Sequence, residues 1–249
     1  MVTTVVSKSS AAQRDLKHEL IELANAQFAS PEYQRLFKAP FTREGAKAYW
    51  VQHAHFNLNR RDVWGFVQGH SPMDIKKMVW EHEEDELAGS RDRNVEDHFT
   101  LVIKQGKAFG LTAEDFWNTP QMDTTFACCQ GWLNMARTLP WLEGFATASC
   151  LELSNNEELI RGGCISRRMG EKCRDELGIP MSKQYSNAEH VTADVEHGAM
   201  LLQVVDIHGD TDEKRAQILS GAKKSWTIER VFRGFTGVLL EQYAAKEAA

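Results

Sequence analysis

The chain has 249 residues, 42% of them hydrophobic and 26% charged, with 29 Lys plus Arg against 35 Asp plus Glu and a formal net charge of −6. That acidic balance excludes the dense Lys/Arg display by which nucleic-acid binders neutralise phosphates, and no run reaches the ~18 uninterrupted apolar residues of a membrane span. The opening residues lack the apolar stretch and small-residue cleavage site of a secretory leader, and five cysteines without paired spacing read as reduced, mostly buried thiols of a cytoplasmic protein.

Apolar residues recur at three and four, the helical period, and almost nowhere at two. Helices are expected near 10–29, 43–69, 73–88, 94–109, 113–137, 141–160, 162–177, 182–208 and 212–245. Ser30-Pro31 and Ser71-Pro72 each put a hydroxyl before a proline at a first helical position. Thr112-x-x-Asp115 and Asp210-x-x-Glu213 resemble capping boxes. No repeat, low-complexity tract or long linker interrupts the pattern, so residues 1–249 are expected to form one all-α domain with short frayed ends (about 1–10 and 244–249).

The strongest chemical signal lies in EHVTADVEH, where His190, Asp194 and His197 are spaced i, i+4, i+7. At 3.6 residues per turn the three fall within an arc of about 60°. Continuing the stripe reaches Leu201, Val204 and Val205, so this face looks inward. Burying an uncompensated carboxylate costs several kcal/mol, which calls for a cation or close partners.

The same phase argument finds companions. On the helix near 73–88 the apolar stripe of Ile75, Met78 and Val79 extends to His82 and Glu86; Glu86 is taken as a ligand and His82 as an inward residue beside it. Glu81 or Glu84 replaces Glu86 if that helix ends early or bulges. His98 shares a face with Val95, Val102 and Phe109, and Glu152 lies in the stripe of Trp141, Phe145, Ala148 and Leu159, with Glu157 as its fallback. Three carboxylates and three neutral imidazoles carry about −3, which suits two divalent iron or manganese ions better than one zinc. Helical bundles build dinuclear iron sites from such sets.

On the helix near 43–69, His53 and Arg60 fall inside a broad apolar face. Arg60 could anchor a substrate carboxylate through a bidentate pair, and His53 could stand beside it in the substrate site; the plainer reading is a snorkelling arginine and a core histidine. His18 would be the axial ligand of a haem, a reading that leaves the His190–His197 stripe unexplained.

These segments resemble the haem-oxygenase-like di-iron oxidases and oxygenases, a superfamily that also holds the TenA thiaminases and the pyrroloquinoline quinone synthase. The likeness runs from about Ser30 to His208. It opens with PEYQRLFKAPFTREGAKAYWVQHAHF, continues through DIKKMVWEHEEDELAG, His98 and Glu152, and ends on HVTADVEH, similar to the family's H-x-x-x-D-x-x-H. The resemblance implies a haem-oxygenase-like bundle of about seven core helices. It also implies two Fe(II) ions (manganese being the alternative) held by Glu86, His98, Glu152, His190, Asp194 and His197, with O2 as co-substrate.

The expected activity is an iron-dependent oxidoreductase that desaturates, cleaves or N-oxygenates a small amino-acid-derived or carboxylic substrate, with an external electron donor as a further partner. The competing readings are a metal-free acid/base enzyme of the TenA or quinone-synthase kind and a helical binding protein with a structural ion. A homodimer is the default for a soluble enzyme of this size.

Overall fold

Helices start where the sequence supplies an acceptor for the free N–H groups of the first turn. In the computed structural model, which describes residues 9–90, 94–161 and 163–249 (only the backbone of 192 and 194–196), α1 (Ala11–Phe28) starts at Ser10. The Ser10 hydroxyl accepts from Gln13 N while the Gln13 side chain returns to the cap backbone. Ser30 caps α2 (Pro31–Lys38), Thr42 caps α3 (Arg43–His70), and Thr112 with Asp115 forms the expected box on α6 (Ala113–Asn118). All regular elements among the described residues are helical, twelve α-helices and one short 3-10 turn.

Two caps differ from expectation. Ser71 closes α3 rather than opening α4 (Met73–Ala88), its hydroxyl donating back to Val67 O at 2.7 Å. Thr211, not Asp210, accepts from Lys214 N at the start of α12 (Asp212–Glu247).

Several expected helices are shorter or split, and the one expected over 141–160 ends at Asn155. α5 (His98–Phe109) starts late because Asp97 accepts from Thr100 N at 2.8 Å. The stretch 113–137 divides into α6 and α7 (Asp123–Thr138) around Pro120, which lacks an N–H and disfavours helical geometry in the residue before it. At the far end, 182–208 divides into α10 (Tyr185–His197) and α11 (Met200–His208) across Gly198-Ala199. α8 (Trp141–Asn155) and α9 (Ile165–Leu177) lie between these pairs.

α8 is the axis of the bundle. Every residue from Leu142 to Ser154 is buried, so it is enclosed on all sides. α12, 36 residues long, lies along it. Polar groups fasten the two: Ser225 Oγ donates to Thr147 O (2.7 Å), and Trp226 Nε1 donates to Ser154 Oγ (2.8 Å). Around α8 one apolar cluster reaches from Leu16 on α1 to Leu240 on α12 and includes Trp50, Trp64, Trp132 and Phe232. No helix among the described residues is long and apolar enough to cross a membrane. All five cysteines are buried.

Candidate dinuclear metal centre

Four helices direct acidic and imidazole groups to one region. α4 supplies His82 and Glu86, α5 supplies His98 from its first position, α8 supplies Glu152, and α10 supplies His190 and His197. They form two groups. Ligand-capable atoms of His82, Glu152 and His197 lie within 4.8 Å of one another, and so do those of Glu86, His98 and His190. Glu86 joins the groups: its Oε2 is 3.0 Å from His98 Nδ1, and its Oε1 is 3.8 Å from His197 Nδ1 and 4.0 Å from His82 Nε2.

Glu86, His98, Glu152, His190 and His197, chosen from the sequence by helix phase, therefore come together. Asp194 lies on α10 between the two histidines, and its side chain is outside the described residues. Glu81 and Glu84 are exposed, whereas Glu86 is 4% exposed. Glu157 is drawn away by Arg167, 2.6 Å distant. His18 faces solvent on α1.

His82, read from the sequence as a neighbour of the site, sits inside one group. Its Nδ1 lies 3.0 Å from Glu83 Oε1. An ionised carboxylate only accepts, so Nδ1 carries the proton and Nε2 the lone pair. His190 is oriented the same way by the Ser186 carbonyl, 2.8 Å from its Nδ1.

Two arginines of α3 meet the carboxylates. Arg60 Nη2 donates to Glu152 Oε1 at 2.6 Å and to Ala148 O at 2.8 Å. Arg61 Nη1 lies 2.8 Å from Glu83 Oε1 and 2.8 Å from Glu86 Oε2. Part of the positive charge that the buried acids require thus comes from the protein. Glu86 Oε2 faces His98 Nδ1 and Arg61 Nη1, whereas His82 Nε2, His98 Nε2 and His197 Nδ1 are buried without hydrogen-bond partners, as are Arg60 Nη1 and Arg61 Nε. Orphaned nitrogens converging with carboxylate oxygens are what a metal ion satisfies.

Electrostatics prepare the same atoms. Burial opposes ionisation of Glu86 and Glu152, but Arg61, His98 and His82 outweigh it at the first and hold it well below the carboxylate range, while Arg60 and His82 bring the second down to about 2. Burial pushes His197 down to about 4, reinforced by His82, and lowers His190, reinforced by His98. Burial would lower His98 too, yet Glu86 beside it raises it. At neutral pH the site presents ionised carboxylates and at least two unprotonated imidazoles, the state that binds metal.

A cavity of about 50 Å³ adjoins the centre, lined among others by Glu86, Glu152, His190, Arg60, Arg61 and His53. His53, 4.8 Å from the Trp50 ring between centroids, is held down to about 3 by burial and by the charges of Arg233 and His190. Arg233 and Glu229 of α12 complete this wall; neither was singled out from the sequence, although both are charged residues on an inward stripe with Ala222, Trp226 and Thr236.

Residues 47–230 match the model of a family described as iron-containing redox enzymes. The chain belongs to that family. Solved structures with the same fold include a domain of unknown function with a haem-oxygenase-like fold from Shewanella denitrificans, 12% identical, covering 94% of this chain and 93% of that one with a TM-score of 0.66. A CADD-like protein of unknown function from Nostoc punctiforme is 18% identical, with coverage of 92% and 98% and a TM-score of 0.65. A TenA homologue from P. horikoshii is 18% identical, with coverage of 90% and 97% and a TM-score of 0.58. No curated protein sequence matches the chain. The haem-oxygenase-like fold expected from the sequence is thereby shown.

Proposed function

We propose that the chain is a non-haem di-iron enzyme that uses O2 to oxidise a small amino-acid-derived or carboxylic substrate, by desaturation, C–C cleavage or N-oxygenation. The observation that carries this reading is the pair of adjacent three-residue groups, with Glu86 of one lying within 4.0 Å of His82 and His197 of the other and with buried imidazole nitrogens that no described protein group satisfies. His82, Glu152 and His197 would hold one ion and Glu86, His98 and His190 the other, with Asp194 added from α10. Two bound Fe(II) ions would supply the oxygen chemistry; manganese is the alternative metal.

The protein groups have separate tasks. Arg60 and Arg61 fix the acids in one orientation, while Glu83 and the Ser186 carbonyl set the tautomers of His82 and His190. The flanking Phe56, Leu151 and Ile165 limit water at the cavity wall. Its small volume and polar lining favour a compact polar substrate over a long acyl chain. An external donor supplies electrons that the substrate does not. Buried cysteines suit a cytoplasmic setting, and a homodimer remains our working assembly.

Anaerobic Fe(II) loading followed by metal analysis and visible spectroscopy on O2 exposure tests the proposal. Failure to bind iron would overturn it.

One observation favours a metal-free alternative of the TenA or quinone-synthase kind: Arg60 and Arg61 already compensate Glu152 and Glu86. That reading gives no role to the orphaned nitrogens of His82, His98 and His197, and it requires activity that survives exhaustive chelation. A binding protein with a structural ion would hold metal and never consume O2.

A further inference from the structure

The cavity has a polar end that the metal centre does not use. Arg233 and Glu229, one helical turn apart on α12, both line it and are 2% and 3% exposed. They are paired at one point only, Arg233 Nη2 donating to Glu229 Oε1 at 3.2 Å. Arg233 Nε and Nη1 and Glu229 Oε2 make no hydrogen bond of good geometry, and the buried Tyr33 hydroxyl that stands beside both residues makes none either. The Arg233 guanidinium stands over the Phe56 and Phe232 rings, 5.5 and 5.4 Å from their centroids, which limits the room it has to turn. Leaving buried charged groups with unmade hydrogen bonds is costly, so such an arrangement calls for a ligand or ordered water.

The unmade bonds specify the ligand. Arg233 needs an anionic acceptor and Glu229, a few ångströms away, needs a donor. A carboxylate alone would answer the first and be repelled by the second; an amine alone would do the reverse. A molecule that carries a carboxylate and an ammonium on one carbon answers both, and as a zwitterion it leaves the pair's charge balance unchanged. Arg60, the anchor expected from the sequence, already donates to Glu152 and Ala148 O. Arg233 has more to offer. His53 lines the same cavity and feels the charges of both Arg233 and His190, so the polar end and the metal centre flank one imidazole.

We infer that Arg233 and Glu229 form the head-group subsite for a small free α-amino acid, Arg233 taking the carboxylate and Glu229 the ammonium. The inference rests on the di-iron reading for its catalytic meaning, but the subsite is made of protein groups alone and binds with or without metal.

The test is calorimetric titration of the full chain, metal-free and anaerobically loaded with Fe(II), with the common α-amino acids. Each amino acid that binds is compared with its carboxamide and its N-acetyl derivative. At least one amino acid should bind, and each derivative should bind about ten-fold more weakly or worse, because it strands one buried group. Arg233→Lys should weaken binding of the amino acid by a similar factor at unchanged metal content. Glu229→Gln should do so while barely affecting the desamino acid, which has no ammonium to lose.

If no α-amino acid binds either form, or the derivatives bind as well as the parent, the subsite proposal is overturned, ordered water being then the only occupant. The derivatives decide the matter on the unmutated chain even if Arg233→Lys fails to fold. Iron content, read separately on the same samples, decides the metal centre: iron without amino-acid binding sinks this inference alone, and binding without iron sinks the di-iron reading alone.

Discussion

His82 and Glu83 are sequence neighbours, yet they point to one shared purpose: the carboxylate of Glu83 lies 3.0 Å from His82 Nδ1 and is itself held by Arg61 at 2.8 Å. The ring is therefore locked with Nε2 toward Glu152, 3.8 Å away. Partners of this kind are worth about 10–100-fold in metal affinity when removed. His82→Ala should lower metal content from two ions to one per chain, and Glu83→Gln should retain both while weakening one by that factor. Metal titrations followed by elemental analysis measure both. Unchanged stoichiometry in His82→Ala would return His82 to a purely structural position.

Arg60 and a metal ion would stabilise the same carboxylate. The Arg60–Glu152 pair is buried, with side chains 4% and 9% exposed. Removing one partner of such a pair costs about 3–5 kcal/mol because the other charge is stranded. Arg60→Met should therefore unfold at markedly lower denaturant without metal and recover more stability on Fe(II) or Mn(II) addition than the unmodified chain does. Equal metal-induced shifts in the two proteins would show that Glu152 does not meet the ion.

Acid should destabilise the metal-free protein. His53 and His197 fall from 6.5 to about 3 and about 4 in the folded state through burial. Between those values and 6.5 the unfolded chain binds protons that the folded chain refuses, so stability rises with pH there and is lost on acidification. Glu152, lowered from 4.5 to about 2 against burial by Arg60, adds a further loss below about 4.5. His98, raised by Glu86 against burial, works in the opposite sense, favouring the fold while it is protonated. The depressed groups outnumber it. Urea unfolding at pH 7 and pH 5 should show a drop on the order of 2 kcal/mol; a constant or rising midpoint would contradict the assigned environments.

How far the sequence reached follows from what helix phase can and cannot say. Phase needs only a 100° step and apolar neighbours, and it placed Glu86, His98, Glu152, His190 and His197 on inward faces that do converge. It also turned His82 inward. It ranked Glu86 as the ligand and His82 as its neighbour; the place of His82 in a group of its own depends on Glu83 and Arg61, brought together across α3 and α4. Arg61 itself lies about 100° from Arg60, to the side of the apolar face that singles out Arg60.

Arg233 and Glu229 are legible by the rule applied to Glu152, a charged residue inside an apolar stripe, which the sequence reading did not extend to α12. The breaks at Pro120 and Gly198 were missed because the apolar period runs on across them.

Close approach of α8 and α12 is required for Glu152 and the Arg233 wall to share a cavity. A Cβ on Gly221 would lie 2.3 Å from the Glu143 carbonyl oxygen, a contact with backbone that cannot give way cheaply. Gly221→Ala should destabilise by about 1–3 kcal/mol. Gly65→Ala and Gly69→Ala on α3 meet nothing within 4 Å and should stabilise by about 0.5–1 kcal/mol through helix propensity. Chemical denaturation separates the two classes, and a neutral Gly221→Ala would mean that the helices sit farther apart.

The number of irons bound per chain bears most directly on the whole account. Anaerobic Fe(II) titration with elemental analysis and Mössbauer spectroscopy should give two ions per chain. His190→Ala and His197→Ala should each lose one of them, from different positions, with helix content by circular dichroism unchanged. Zero bound iron, or two irons retained in both variants, would contradict a centre built from these residues.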